Sequence, residues 1–510
     1  MAEGSGVCRV GDVAIEGDRI VAVGTLEGVE AATVIDAFGC VVLPGFIDAH
    51  VHAEGHLLGG DSVEGALMQG VTTFVLGQDG TSTAPSADLA VRTELDTYWS
   101  ALNGPTPASV AARLSVGELL DEFEGGPLNV AYLVPNGNLR LAAVGWADER
   151  ADAAAIAAMR ELLEAGLADG AVGFSSGLDY TPSKHADTAE LKALCAALSG
   201  LGVPYVTHMR GYGPHVEVGV DESLEIVGEA GVPLHISHFW GKTDQVLPQL
   251  DRIEAAGVAV TFDTYPFVAG STILAMAALP PDLQTGSPGA VTERLRTEAG
   301  RRLLREHVES PATIDVGGMI LAFVDAAPLR ELEGLTLAAA ARKLGLPLGD
   351  LVVELLVESG FRAAVIVQKP DALGEADILA AALDHRQMVG SDGIYSGSHP
   401  HVRGFSTFAK FIDIAVRAEG GLDWAEAAEH LSTRAARRFK LEGRGSIAPG
   451  AFADVVVLRP DELAYSDDVT EAPRLARGVE HVFVNGVAAV ADGAPTGVRN
   501  GHALRRSDRT

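Results

Sequence analysis

Cysteine is almost absent from this chain of 510 residues: Cys8, Cys40 and Cys195 are its three thiols. A small, odd and widely spaced set builds no disulfide framework and fits a reducing compartment. Positive charge is scarce as well. Lys and Arg number 38 against 69 Asp and Glu, for a formal net charge of −31. Lysine occurs only at Lys184, Lys192, Lys242, Lys343, Lys369, Lys410 and Lys440. A surplus of negative charge repels nucleic acid and anionic membranes, so neither is expected as a partner, and it names no substrate. No uninterrupted apolar run reaches the length that spans a bilayer. The opening stretch MAEGSGVCRV lacks the basic start and apolar core of a secretory signal. These absences point to a cytoplasmic protein acting on a small molecule, with homo-oligomerisation left open.

What is present suits a large α/β chain. Apolar residues make up 47% of it, and 59 glycines serve many strand-to-helix turns. The length calls for at least two structural units. Short strands with Gly-Asp turns fill the first forty residues, and SIAPGAFADVVVLRP and HVFVNGVAAVADG repeat that texture at the far end. Residues 1–43 plus 445–510 are therefore expected to form one small β-unit, around a middle of 44–444. Within that middle, nine apolar runs alternate with helical stretches: GFIDAHVH, GVTTFVLGQDG, LNVAYLVPNG, GAVGFSSGL, PYVTHMRG, PLHISHFW, VAVTFDTYPF, AAVIVQK and MVGSDG. Continuous apolar runs with helices between them indicate a parallel sheet covered on both faces. Nine is close to the eight of a (β/α)₈ barrel, so one run, AAVIVQK, is assigned to the periphery or an insertion. Residues from about 280 to 360 are helix-rich and read as an inserted subdomain, and the closing RRSDRT reads as a frayed tail.

Polar residues gather where these runs end. His50 and His52 close the first, Asp79 the second, His208 the fifth, His238 the sixth and Asp392 the last. In a parallel barrel the C-terminal strand ends converge on one mouth. The i, i+2 spacing of His50 and His52 puts both imidazoles on one side of an extended strand. Imidazole and carboxylate together are the donor set for zinc or a similar divalent ion. A lone His-x-His pair is weak, but the same residue types at several strand ends describe a shared metal site.

These stretches resemble the amidohydrolase superfamily and, within it, the N-acyl-D-amino-acid deacylase (D-aminoacylase) family. The resemblance rests on PGFIDAHVH, QGVTTFVLGQDG, GAVGFSSGLDY, YVTHMRG, LHISH, YPFVAGST, VGSDG with PHVRGFSTF, and RGSIAPGAFADVVVL, in family order from about residue 40 to 460. It implies a (β/α)₈ barrel with a β-sandwich from the two termini, and Zn²⁺ as one or two ions. His50 and His52 would bind one ion, His208 and His238 another, and Asp392 would be the catalytic acid/base. The family's carboxylate-binding residues fall on Tyr265, Ser271 and Arg403.

Two positions depart from the family pattern. A bridging cysteine is common after the second strand, and here Asp79 stands in its place, a harder donor that favours harder or more labile ions. A lysine commonly follows the last histidine by two residues, and here that residue is Trp240, which can stack on a larger or more apolar substrate. The expected reaction is hydrolysis of a linear N-acyl amino acid by metal-activated water. Cyclic-amide hydrolysis, a non-hydrolytic lyase, decarboxylase or isomerase on the same scaffold, and a non-enzymatic binding protein are the competing readings.

Overall fold

The structure, a computed structural model, describes residues 1, 6, 8–110, 114–310, 314–368 and 373–506. Lys369 and the last four residues of the RRSDRT stretch lie outside the described residues.

Buried apolar runs become parallel strands. They are β1 (Phe46–Asp48), β2 (Val71–Leu76), β3 (Asn129–Tyr132, continued by Val134–Pro135), β4 (Phe174–Gly177), β5 (Tyr205–His208), β6 (Leu234–Ile236), β7 (Val260–Thr264) and β8 (Gln387–Val389). All six residues of β2 are buried, as a strand covered on both faces requires. Each strand pairs in parallel with the next, from β1 with β2 through to β7 with β8. Across the remaining gap Ala49 N donates to Val389 O at 3.1 Å, and Asp392 N donates to His50 O at 2.7 Å. Beyond these bonds Gly393–Ile394 pairs in parallel with Val51–His52.

Amphipathic helices cross between the strands. Ala153–Ala168 turns Met159, Leu163 and Leu167 inward at helical spacing, and Asp152 caps it by accepting from Ala155 N. Thr188–Cys195, Val216–Gly228 and Thr243–Ala255 follow β4, β5 and β6 in the same way.

Three further sheets accompany this core among the described residues. Val41–Pro44 joins Val455–Leu458, Val479–Val484, Val487–Ala491 and Ala494–Pro495 in one antiparallel sheet drawn from both ends of the chain. Asp12–Glu16 and Arg19–Gly24 form a separate two-stranded sheet. Between β7 and β8, Ala363–Gln368 lies between Ala269–Ile273 and Ile320–Val324, antiparallel to both. That unit packs into an apolar core in which Leu295, Leu304, Leu351 and Leu355 take part together with Leu95, Trp99 and Tyr180 from outside it. Its sheet therefore extends to residues 269 and 368, beyond the helix-rich stretch that the sequence delimits. Of the end expected to fray, the two described residues, Arg505 and Arg506, are held in place. Arg506 N donates to Gly170 O at 2.8 Å, and Arg505 donates to Gly117 O and Asp121. Two arginines reaching backbone carbonyls and a carboxylate pin the chain where apolar content alone predicts none.

Candidate metal centre

The site assembles at the C-terminal ends of the parallel strands. His50 and His52 project to one side of the short extension of β1, their ring centroids 5.3 Å apart. Asp79 sits in the turn after β2, where the backbone leaves little choice of residue. Gly77 has φ +77°, and a Cβ there would stand 2.2 Å from Leu133 O. Buried Glu54 ties this turn down by accepting from Gly77 N and Ser82 Oγ, and Ser175 Oγ accepts from Gly80 N. His208 closes β5, and His238 follows β6 with its ring 4.6 Å from that of His208.

Asp79, His238 and Asp392 all have left-handed backbone, with φ of 53°, 34° and 48°. Such conformations cost of order 1–3 kcal/mol each and persist where function holds them.

The carboxylate of Asp79 lies between the two histidine pairs. Its Oδ1 is 3.6 Å from His50 Nε2 and 3.7 Å from His238 Nε2. Its Oδ2 is 3.6 Å from His52 Nε2 and 3.7 Å from His208 Nδ1. Asp392 Oδ1 stands 3.4 Å from His52 Nε2 and 3.7 Å from His50 Nε2. These gaps are too long for good hydrogen bonds. They suit donors that share an ion, since two ligands about 2.0–2.1 Å from a tetrahedral metal are about 3.3 Å apart. His50 Nε2, Asp79 Oδ1 and His208 Nδ1 are buried with no hydrogen-bond partner. Two ligand groups result, His50-His52-Asp79 and Asp79-His208-His238, and Asp79 belongs to both.

The electrostatics ask for a cation. Burial alone would raise Asp392, but Arg403, His52, His50 and His238 hold it down at about 2. Asp79 is likewise held well below the carboxylate range, chiefly by His50 against its burial. Burial would lower His52, yet Asp392 and Asp79 lift it to about 10. Ionised buried carboxylates thus draw positive charge into the centre, a demand that a divalent ion meets while displacing the imidazole protons. The donor set fits such an ion.

The nitrogens facing away from the centre are also held. His50 Nδ1 donates to Asp263 Oδ2 at 3.3 Å, His52 Nδ1 to Asn103 Oδ1 at 3.0 Å, and His208 Nε2 to Asp179 Oδ2 at 3.0 Å. These partners fix ring orientation and tautomer. Asp263 does more: it also accepts from His235 Nε2 and from His238 N. Asp48 accepts from His50 N and Ser391 N, tying the Asp392 loop to β1. None of these supports is singled out by the sequence reading. Asp48 and Asp263 were within its reach, because both are polar residues at the ends of predicted strands. Asp263→Ala is expected to weaken divalent-ion affinity about 10–100-fold. Competition titration against a chromogenic chelator checks this, and unchanged affinity would refute the role.

The remaining predicted residues flank the centre. Arg403 opens the helix Arg403–Phe411 and is fully buried. Its Nη1 lies 2.8 Å from Asp392 Oδ2, its Nη2 donates to Ser271 O at 3.1 Å, and its guanidinium is 4.7 Å from the Tyr265 ring centroid. Tyr265, Ser271 and Arg403 therefore meet beside Asp392, although Ser271 Oγ donates to Val365 O. Trp240 is stacked on Tyr212 at 6.2 Å and shares with Tyr265 the lining of a cleft beside His238.

Comparison with known proteins agrees with this geometry. The amidohydrolase family profile matches residues 33–309 and 354–490. An N-acyl-D-glutamate deacylase of Alcaligenes xylosoxydans xylosoxydans is 34% identical, across 98% of this chain and 93% of its own. A solved D-aminoacylase, studied for one-metal activation and second-metal attenuation at its binuclear centre, superposes with a TM-score of 0.81. It is 30% identical, over 99% of this chain and 98% of that one. The N-acyl-D-glutamate deacylase of Bordetella bronchiseptica, complexed with zinc and a phosphonate that mimics the tetrahedral intermediate, superposes with a TM-score of 0.78. Its identity is 28%, over 99% of this chain and 97% of that one. With a family match over most of its length and relatives that align end to end, the chain belongs to the amidohydrolase family, in its N-acyl-D-amino-acid deacylase (D-aminoacylase) branch.

Proposed function

We propose that this protein deacylates N-acyl-D-amino acids, with zinc as its working ion. The observation that carries the reading is the position of Asp79, whose two oxygens each face one imidazole from either histidine pair. His50 and His52 would hold one ion, His208 and His238 would provide a second position, and Asp79 lies between the two pairs. Neighbouring pairings from β1 to β8, with the bonds between β8 and β1, support a (β/α)₈ barrel over residues 44–444. The sheet drawn from both termini supports a small β-sandwich of 1–43 plus 445–510, and the unit between β7 and β8 supports an inserted subdomain around 280–360.

A bound divalent ion supplies Lewis acidity, lowering the pKa of water and polarising the acyl carbonyl. This chain's residues do the rest. Asp392, ionised and beside the imidazoles, takes the proton from the attacking water as oxygen bonds to the acyl carbon. It returns that proton to the amide nitrogen as the C–N bond breaks, leaving a carboxylic acid and a free amine. Arg403 and Tyr265 line the neighbouring space, where a planar guanidinium suits the substrate carboxylate. That guanidinium also lies against Asp392, its Nη1 2.8 Å from Oδ2.

The test is a panel of N-acetyl-D- and L-amino acids offered to zinc-loaded protein in heavy-oxygen water. D-substrates are expected to be cleaved, with one solvent oxygen in each acetate. If no N-acyl amino acid is turned over, the reading fails.

A further inference from the structure

We propose that the cleft beside His238 is an apolar pocket of the active site, walled by Trp240, and that it takes an uncharged hydrocarbon group of the substrate in preference to an acidic one. The inference rests on the deacylase reading and narrows it.

Trp240 lies two residues beyond His238, and its ring lies flat on Tyr212, with an interplanar angle of 9°. Tyr212 is anchored at both neighbouring strand ends. Its hydroxyl accepts from Met209 N at 2.9 Å and donates to Ser237 O at 3.1 Å. Its ring is 5.3 Å from those of both His208 and His238. The indole is thereby fixed relative to two candidate ligands. The backbone is shaped to seat it. Gly213 has φ +53°, and a Cβ there would come 3.0 Å from the Trp240 ring. Gly241 has φ +155°, and a Cβ there would stand 2.4 Å from Val246.

Trp240, Val246, Phe267, Leu373, Ile378 and Ala381 line the cleft together with His238 and Tyr265. Neither lysine nor arginine is among its described lining residues. The one carboxylate there, Asp377, already accepts from Thr243 N, Thr243 Oγ1 and Gly374 N. A second carboxylate entering this space would meet the charge of Asp377, and the described cations nearby are already engaged, Lys242 with Asp377, Lys410 over the Phe267 ring and Arg403 over the Tyr265 ring, whereas a hydrocarbon gains by leaving water. An indole at this position offers chiefly apolar surface and brings no positive charge to balance an anion.

The apolar group can belong to the amino acid or to the acyl chain, and two substrate series separate them. For the zinc-loaded full chain, kcat/KM is measured for N-acetyl-D-leucine, N-acetyl-D-phenylalanine and N-acetyl-D-glutamate. The second series compares N-acetyl-, N-butyryl- and N-octanoyl-D-alanine. At least one series is expected to favour the larger apolar group about tenfold or more, and that series identifies which group enters. Trp240→Lys is expected to lose about tenfold on apolar substrates and to move preference towards glutamate. Trp240→Phe should keep the wild-type order. If the lysine variant does not fold, Trp240→Ala takes its place and must lose the apolar preference. Wild-type preference for glutamate, no preference in either series, or an unchanged order in the folded, metal-loaded variant overturns the inference while the deacylase reading stands. No turnover of any N-acyl amino acid overturns both.

Discussion

Asp392→Asn is expected to lower kcat by a factor on the order of 10²–10⁴, the usual worth of a positioned proton-transfer group. The substitution is nearly isosteric, so the left-handed turn at φ 48° and the bond from Asp392 N to His50 O persist. An amide, however, cannot take the water's proton or return one to nitrogen. Four imidazoles and Asp79 remain to hold metal, so most of the metal content should survive. Steady-state kinetics with metal analysis of the same preparation separates lost chemistry from lost ion. A variant that retains its metal and works within tenfold of wild type would remove Asp392 from the proton-transfer role.

The second large effect is that of chelation. Stripping the divalent ion should abolish turnover, and zinc should restore it. It should also lower stability, because the centre then holds ionised carboxylates and buried, unpartnered atoms at His50, Asp79 and His208. An ion at about a hundred times its dissociation constant stabilises the folded state by about 2.7 kcal/mol. The melting midpoint should therefore rise as zinc is titrated back, in step with recovered activity. Full activity in protein shown by metal analysis to be stripped would exclude a metal-dependent reaction.

The candidate ligands are legible in the sequence because each interrupts an apolar run at its end. His50, His52, Asp79, His208, His238 and Asp392 are polar where a buried strand has just stopped, and the structure brings all six to one place. The supports beneath them are less legible. Asp263 matters because His50 and His235 reach it from two other strands, a convergence that no local pattern encodes. Asp179 lies in the loop after β4, and its contact with His208 depends on how β4 and β5 align. The sheet between β7 and β8 is hidden for a related reason. Ala269–Ile273 finds its partner only at Ala363–Gln368, and pairing over such a distance leaves no local periodicity to read. Helical stretches between them carry a clear pattern, and AAVIVQK reads as a strand outside the barrel, so these mark the insertion while the strands that flank Ala363–Gln368 do not.

That antiparallel pairing bears on how this chain can change. Ser271 stands opposite Ile366 in a ladder separate from the parallel strands that carry the histidines. Shifting one strand of that ladder by a single residue turns every side chain to the opposite face. Such a slip would remodel the wall beside Arg403 without moving a ligand from β1, β5 or β6. One wall of the recognition space is thus inherited on a piece of secondary structure apart from the ligands, whereas Trp240 and Tyr265 stay tied to β6 and β7. Descendants of this chain can exchange one substrate for another while keeping the hydrolytic machinery they began with.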